Sequence, residues 1–419
     1  MLTAPKSQRL HIAIVGRTNA GKSSVLNYIS GQDVAVTSPL PGTTTDVVEK
    51  TMELLPIGPV VFLDAPGLGD ETALSAKRLQ RAEGVFDRAD VVLLVQEGEQ
   101  AGPHEARIAE LAAAGRVPLL RVLNKTDVFP VGPAADGIPC CAIAPAQRPR
   151  FLSELKQALI RVCPDDFLQP PPLVGDLVPA GGVIVLVVPI DLQAPKGRLI
   201  LPQVQTIRDA LDSDAGVFVV KEREYRHYLS ILGRAPDLVV CDSQVVLRVV
   251  ADTPADVRCT TFSILQARVK GDLVRFAEGA AALDKLADGD RILIAESCSH
   301  HAIEDDIGRV KIPRWIRQYA GRRLTIETTA GHDFPANLAD FRLVVQCGGC
   351  MQNRREVLSR IERCAQAGVP ITNYGICIAK TQGVLERALS PFPAALAACR
   401  ATRDISVKPA CNTLTGCGL

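Results

Sequence analysis

The run Gly16-Arg17-Thr18-Asn19-Ala20-Gly21-Lys22-Ser23-Ser24 limits what this chain can fold into more than any other feature. Residues 11–15 before it are an apolar, strand-like run and residues 25–30 after it read as a helix, so the glycines fall between a strand and a helix start. The backbone N–H groups of such a loop and the positive end of the helix face an anion together, and a lysine at position 22 reaches the β and γ phosphates of a nucleotide. Gly16, Asn19, Ala20, Gly21, Lys22, Ser23 and Ser24 are therefore the candidate phosphate-binding residues, with the Ser23 hydroxyl placed for Mg²⁺.

A second apolar run, residues 60–63, ends in Asp64-Ala65-Pro66-Gly67 and puts a carboxylate at the C-terminal end of a strand, where Asp64 would act on Mg²⁺ through a bound water. Strand-like residues 119–123 lead into Asn124-Lys125-Thr126-Asp127. The Asp127 carboxylate can accept from both N1–H and the 2-amino group of guanine, a pair that adenine does not offer, so GTP is expected over ATP. Cys141-Ala142, after another short strand, is the candidate loop behind the base. Between the first two motifs lies Ser38-Pro39-Leu40-Pro41-Gly42-Thr43-Thr44-Thr45-Asp46, where Thr43 and Thr44 are candidate nucleotide contacts. Thr44 is expected to join Ser23 on Mg²⁺ while the γ-phosphate is present, which makes the loop a switch. Lys22, Thr44, Asp64 and Gly67 form the expected catalytic set.

These motifs resemble the TrmE-Era class of translation-factor-related GTPases. The resemblance implies that Asn19 helps to bind a potassium ion that substitutes for an arginine finger. Leu68 stands where many small GTPases carry a water-orienting glutamine, so slow, K⁺-stimulated hydrolysis of GTP to GDP and phosphate is expected.

At 419 residues the chain needs more than one core. Gln169-Pro170-Pro171-Pro172 is a stiff break that closes a P-loop GTPase domain over residues 1–169, with a last helix at 151–162. Residues 173–270 alternate apolar runs (183–189, 217–220, 238–241, 243–249) with helical segments such as 204–211. That is the rhythm of an α/β unit with a mostly parallel sheet, expected to serve as a connector or dimerisation platform. Residues 271–400 read as a third α/β domain and residues 401–419 as a tail, so the fold class is α/β in three domains. With 47 basic and 46 acidic residues, the net charge of +1 supplies no field for nucleic acid. The longest apolar run, residues 183–190, is far short of the roughly 20 residues a membrane helix needs, and the first ten residues lack a secretory signal. A cytoplasmic protein without nucleic-acid or membrane partners is expected, its thirteen cysteines reduced or acting as ligands.

Strand-like residues 291–296 lead into Cys298-Ser299-His300, and residues 341–345 lead into Gln346-Cys347-Gly348-Gly349-Cys350. Open α/β sheets gather ligands at such strand ends. Alone, the Cys347/Cys350 pair fits thiol redox chemistry, half a zinc site, a pair of cluster ligands or no ligand role. Adding Cys298 and His300 favours a metal: three thiolates suit a [4Fe–4S] cluster with an open iron, whereas three cysteines and a histidine suit a closed zinc site.

Together with SCSHHAIEDDIGRVKIPRW and PKGRLILPQVQTIRDAL, these segments resemble the HydF family of [FeFe]-hydrogenase maturation GTPases over nearly the whole chain. That family shows Cys-x-His followed, after a gap, by His-Cys-x-x-Cys. The resemblance implies GTPase, dimerisation and cluster-binding domains, a homodimer, and a [4Fe–4S] cluster held by Cys298, Cys347 and Cys350. It also implies a carrier that accepts a transient di-iron precursor assembled with the radical-SAM maturases HydE and HydG and delivers it to apo-[FeFe]-hydrogenase, HydA. Gln346 replaces the family's second histidine, so His300 or Glu304 is the expected fourth ligand. Two other readings share parts of the pattern: a TrmE-Era GTPase acting on RNA, and a GTP-regulated zinc or redox protein.

Overall fold

The computed structural model describes residues 5–31, 48–64, 84–189, 199–297 and 306–406. Thr43, Thr44, Gly67, Leu68, Cys298, His300 and Glu304 lie outside the described residues, as does the chain beyond 406. Two compact units divide the protein: Met1–Pro171 with Met351–Arg360, and Pro172–Cys350 with Ile361–Leu419.

The first unit is built on β1 (Leu10–Val15), β2 (Val48–Leu54), β3 (Gly58–Asp64), β4 (Val91–Glu97), β5 (Leu119–Asn124) and β6 (Ile138–Pro139), ordered β2-β3-β1-β4-β5-β6. Strand β2 is antiparallel to β3, and the remaining pairs are parallel. Parallel strands are covered on both faces, which is why β1 and β4 read as nearly unbroken apolar runs. Successive side chains still alternate. Leu10, Ile12 and Ile14 enter one core with Phe62, Phe151 and Leu155, while Ala13 and Val15 enter the other with Leu63, Leu94 and Ile108. Helix α1 (Lys22–Ser30) begins just beyond the C-terminal end of β1, so this edge of the sheet collects the glycine loop, Asp64 and Asn124.

The second unit holds two four-stranded sheets. The first contains β7 (Val183–Val187), β8 (Gly216–Val220), β9 (Leu238–Cys241) and β10 (Arg258–Thr261), ordered β10-β9-β7-β8. The second contains β11 (Arg291–Ala295), β12 (Thr325–Thr329), β13 (Leu343–Gln346) and β14 (Ile371–Asn373), ordered β12-β11-β13-β14. Every pairing in both is parallel. From β11 the chain crosses over to β12 on one side and later returns to β13 on the other, which makes the β11/β13 edge the switch point where ligands gather.

One apolar run behaves differently from its expectation. Residues 243–249 belong to no strand; Ser243–Val245 form a 3₁₀ turn and Val246–Asp252 a helix. Asp242 accepts from the Gln244 backbone N–H at 2.9 Å and so caps this start, leaving Val246 and Val249 on a buried helical face. The fourth strand is instead Arg258–Thr261, whose polar composition conceals it.

A tight point in this unit yields a stability prediction. Gly279 ends the helix Leu273–Gly279, and a Cβ there would lie 2.0 Å from the Ile371 carbonyl oxygen and 2.6 Å from its carbon. The obstacle is strand backbone, which cannot step aside. Gly279→Ala should therefore destabilise the second unit by about 2 kcal/mol or more, read as a lower urea midpoint.

Candidate functional site

The nucleotide motifs meet at one edge of the first sheet. Gly16 sits at φ +153°, where a Cβ would lie 2.2 Å from the Val95 carbonyl oxygen, and Gly21 sits at φ +91°, where a Cβ would lie 2.2 Å from Asn124 Nδ2. The loop thus closes against β4 and against Asn124, and glycine is required at both contacts. Between them Asn19 adopts a left-handed φ of +67°, a conformation asparagine tolerates better than most residues. Asn124 is buried and works as a tie: Nδ2 donates to Ala20 O at 3.0 Å, and Oδ1 accepts from the Ala142 N–H at 3.4 Å. The same base-side loop is held by Thr126 N–H donating to Cys140 O at 3.2 Å and by the Cys141 thiol against Asp127 Oδ1 at 3.5 Å. Asp127 is exposed, its carboxylate available to a base.

On the phosphate side, Lys22 Nζ donates to Gly16 O at 3.2 Å and Arg17 O at 3.0 Å. Burial pushes the Lys22 pKa down, and the Asp64 charge opposes this. Burial in turn pushes the Asp64 carboxyl up, against the pull of Lys22 and of the Ser23 hydroxyl, which lies 3.5 Å from Asp64 Oδ2. A hydroxyl and a carboxylate at that spacing suit the two sides of a hard cation. Ser24 follows, half-buried, in the first turn of α1. Glu97 did not stand out in the sequence; at the end of β4 it pairs with both Lys125 and Arg17. Hydrogen bonding from Lys125 holds its carboxyl below the usual range, with Arg17 adding to the effect.

The second candidate site lies at the β11/β13 switch point. Cys347 N–H donates to Ala295 O at 2.9 Å, continuing the ladder one residue beyond β13. Its sulfur faces three possible donors: the Ser297 N–H at 3.1 Å, the Ser297 hydroxyl at 2.6 Å and the Gly349 N–H at 3.4 Å. Such a donor set suits an anionic sulfur. Gly349 takes φ +64°, which lets the loop turn between the two half-exposed cysteines. Lys270, itself buried, donates to Gly349 O at 2.7 Å and reaches Cys350 O at 3.4 Å. Tyr374 is half-buried nearby; its hydroxyl is itself buried and has no hydrogen-bond partner among the described residues, and burial raises its pKa well above the ordinary value. Gln346 is buried at the end of β13, in register with Ala295 and Asn373. Among the described residues no group of three metal-ligating side chains forms. Sequence reasoning missed Ser297, Lys270 and Tyr374; Ser297 alone carried a signal, as the neighbour of Cys298. No described helix is long and apolar enough to cross a membrane.

Known proteins resemble the chain over three separate segments. The Hydrogen maturase F dimerization domain matches residues 173–271, the Hydrogen maturase F tetramerization domain matches residues 274–391, and the 50S ribosome-binding GTPase domain matches residues 11–125. The tRNA modification GTPase MnmE of Synechococcus sp. (strain JA-3-3Ab) is 42% identical over 135 residues, 31% of this chain and 29% of that protein. MnmE of Burkholderia thailandensis is 36% identical over 163 residues, 36% of this chain and 34% of that one. The chain thus spans about a third of the length of these curated relatives. Among solved structures, a variant of Aquifex aeolicus Era bound to GDP.AlF4- overlaps 53% of this chain and 98% of its own, at 19% identity and a TM-score of 0.32. The GTPase motifs and that domain match make the protein a GTPase that binds GTP, GDP and Mg²⁺, with two oligomerisation domains after it. Because the two Hydrogen maturase F domains together cover more than half of its length, the chain belongs to the HydF family of hydrogenase maturation GTPases.

Proposed function

We propose that the protein is a GTP-regulated scaffold that holds a [4Fe–4S] cluster on Cys298, Cys347 and Cys350 and carries a di-iron precursor to apo-[FeFe]-hydrogenase. The observation that carries this reading is the set of donors converging on Cys347 at the switch point. Ser297, which supplies two of them, is bonded directly to Cys298. The Cys347-Gly348-Gly349-Cys350 turn fits a cluster: both cysteines are half-exposed, one sulfur already sits among N–H donors, and the buried Tyr374 hydroxyl has no partner among the described residues. When bound, such a cluster supplies an iron with one exchangeable coordination site for a bridging ligand of the cargo. His300 or Glu304 is the proposed fourth ligand, since Gln346 is a poor ligand for iron.

In the GTPase domain we assign Gly16, Asn19, Ala20, Gly21, Lys22, Ser23 and Ser24 to the phosphates and Mg²⁺. Asp64, Gly67, Thr43 and Thr44 are assigned to the switch, and Asn124, Lys125, Asp127, Cys141 and Ala142 to the base. Potassium at Asn19 would make turnover faster in K⁺ than in Na⁺. Nucleotide state would act through partners, the maturases HydE and HydG and the hydrogenase HydA, by binding them differently in the two states.

Anaerobic purification and reconstitution test the reading. A brown protein with about four irons per chain is expected; a colourless chain carrying stoichiometric zinc would overturn it.

A further inference from the structure

The two sheets of the second unit share more than their class. Read from β8 the first runs β8-β7-β9-β10, and the second runs β12-β11-β13-β14, so each places its second, first, third and fourth strands in the same order. The registers agree as well. Val187 pairs Cys241 and Cys241 pairs Thr261 in the first sheet, as Ala295 pairs Gln346 and Gln346 pairs Asn373 in the second. Sequence follows the same alignment. Leu238-Val239-Val240 matches Leu343-Val344-Val345, and Gly197-Arg198-Leu199-Ile200-Leu201-Pro202 matches Gly308-Arg309-Val310-Lys311-Ile312-Pro313. Thr260-Thr261-Phe262-Ser263-Ile264 matches Thr372-Asn373-Tyr374-Gly375-Ile376 where helices α2 (Phe262–Lys270) and α3 (Tyr374–Thr381) begin.

Equivalent positions also touch. Gly375 N–H donates to Ser263 Oγ at 3.1 Å, and a Cβ on Gly375 would lie 2.9 Å from Ser263 Cβ. Contact of a position with its own counterpart is the mark of an approximate two-fold relation. In this alignment Asp242 stands where the other copy has Cys347, Val245 stands for Cys350, and Phe262 stands for Tyr374 without its hydroxyl. The Cys347/Cys350 pair and the Tyr374 hydroxyl therefore belong to one copy only.

We propose that residues 173–271 and 274–391 are two copies of one folding unit, and that the copy without the Cys-x-x-Cys pair supports the other through Lys270, the positioning residue of the Cys347–Cys350 loop. Lys270 ends α2, is 6% exposed, and donates across the pseudo-two-fold interface to Gly349 O, with Cys350 O also within reach. Those carbonyls stand immediately before and after the Cys350 α-carbon, so Lys270 fixes the backbone that carries this sulfur. Gly349, held at its carbonyl by Lys270, donates its own N–H to Cys347 Sγ. Removing the ammonium would release the Cys350 end of the turn, while Ala295 and Ser297 still hold the Cys347 end. The ligand class concerned is that of the proposed function, an iron–sulfur cluster, but the loop can be tested without it.

The test is alkylation of the metal-free, reduced full-length chain, followed cysteine by cysteine by mass spectrometry, with half-exposed Cys399 as internal reference. Lys270→Met should raise the rate at Cys350 by about fivefold or more relative to Cys399, and Lys270→Arg, which keeps a cationic donor, should stay within about twofold of wild type. Wild-type rates in Lys270→Met, or equal rates in the Met and Arg variants, would overturn the proposal. A Met variant that fails to fold would also label buried Cys241 and Cys259, and Lys270→Gln would then be read by the same criterion. Iron uptake by the wild-type chain is scored separately: a wild type that takes up none ends the cluster reading, whereas the loop measurement still decides the role of Lys270.

Discussion

Lys22→Ala is expected to lower kcat/KM for GTP hydrolysis by about three orders of magnitude, measured as phosphate release in saturating Mg²⁺. As water adds to the γ-phosphorus and the bond to the β–γ bridging oxygen breaks, negative charge grows on that oxygen and on the β-phosphate. An ammonium already fixed there stabilises this charge without reorganising. Lys22 meets that condition, because two loop carbonyls 3.0 and 3.2 Å away hold Nζ over the cradle and the helix start fixes its stem. Burial has lowered its pKa, so part of its hydration is already lost and a bound phosphate meets a cation that water screens weakly. Stability should move the other way. Removing a desolvated ammonium relieves a cost, so the melting temperature of Lys22→Ala should match or slightly exceed wild type. Hydrolysis within about tenfold of wild type would show that the charge is supplied elsewhere.

Much of this site is legible in the sequence because each part is local. Gly16, Lys22 and Ser23 act within one loop, and the strands that present Asp64 and Asn124 are buried apolar runs with abrupt polar ends. What joins the parts is not local. Asn124 touches Ala20 across more than a hundred residues, and Glu97 gathers Lys125 and Arg17 without belonging to any motif. The same limit explains why residues 243–249 look like a strand: an apolar run has no period until the Asp242 cap fixes its phase. Membership of Met351–Arg360 in the first unit depends on Asn353 donating to Arg88 O and Ser359 to Asp87, contacts no spacing rule anticipates. The duplication is different again. It is written in the chain, but the loops between matched strands differ in length, so only the shared strand order and register make the scattered identities line up.

Cys347→Ala should reduce iron bound after anaerobic reconstitution by about tenfold, while GTP hydrolysis stays within about twofold of wild type. The variant removes a sulfur that three donors surround, so the loss has two parts. One ligand disappears, and the Ser297 and Gly349 N–H groups that donated to its sulfur are left pointing at a methyl group. The phosphate cradle is built from other residues, Lys22, Ser23 and Asp64, on a different sheet. A useful contrast is Cys377, fully buried in α3, whose thiol burial pushes up to about 12. A thiol held protonated in an apolar core is packing, not a ligand, so Cys377→Ala should keep its iron and lose about 1 kcal/mol of stability. If both variants lost iron equally, cluster loss would report loosened packing, and the donors around Cys347 would have no special claim on the metal.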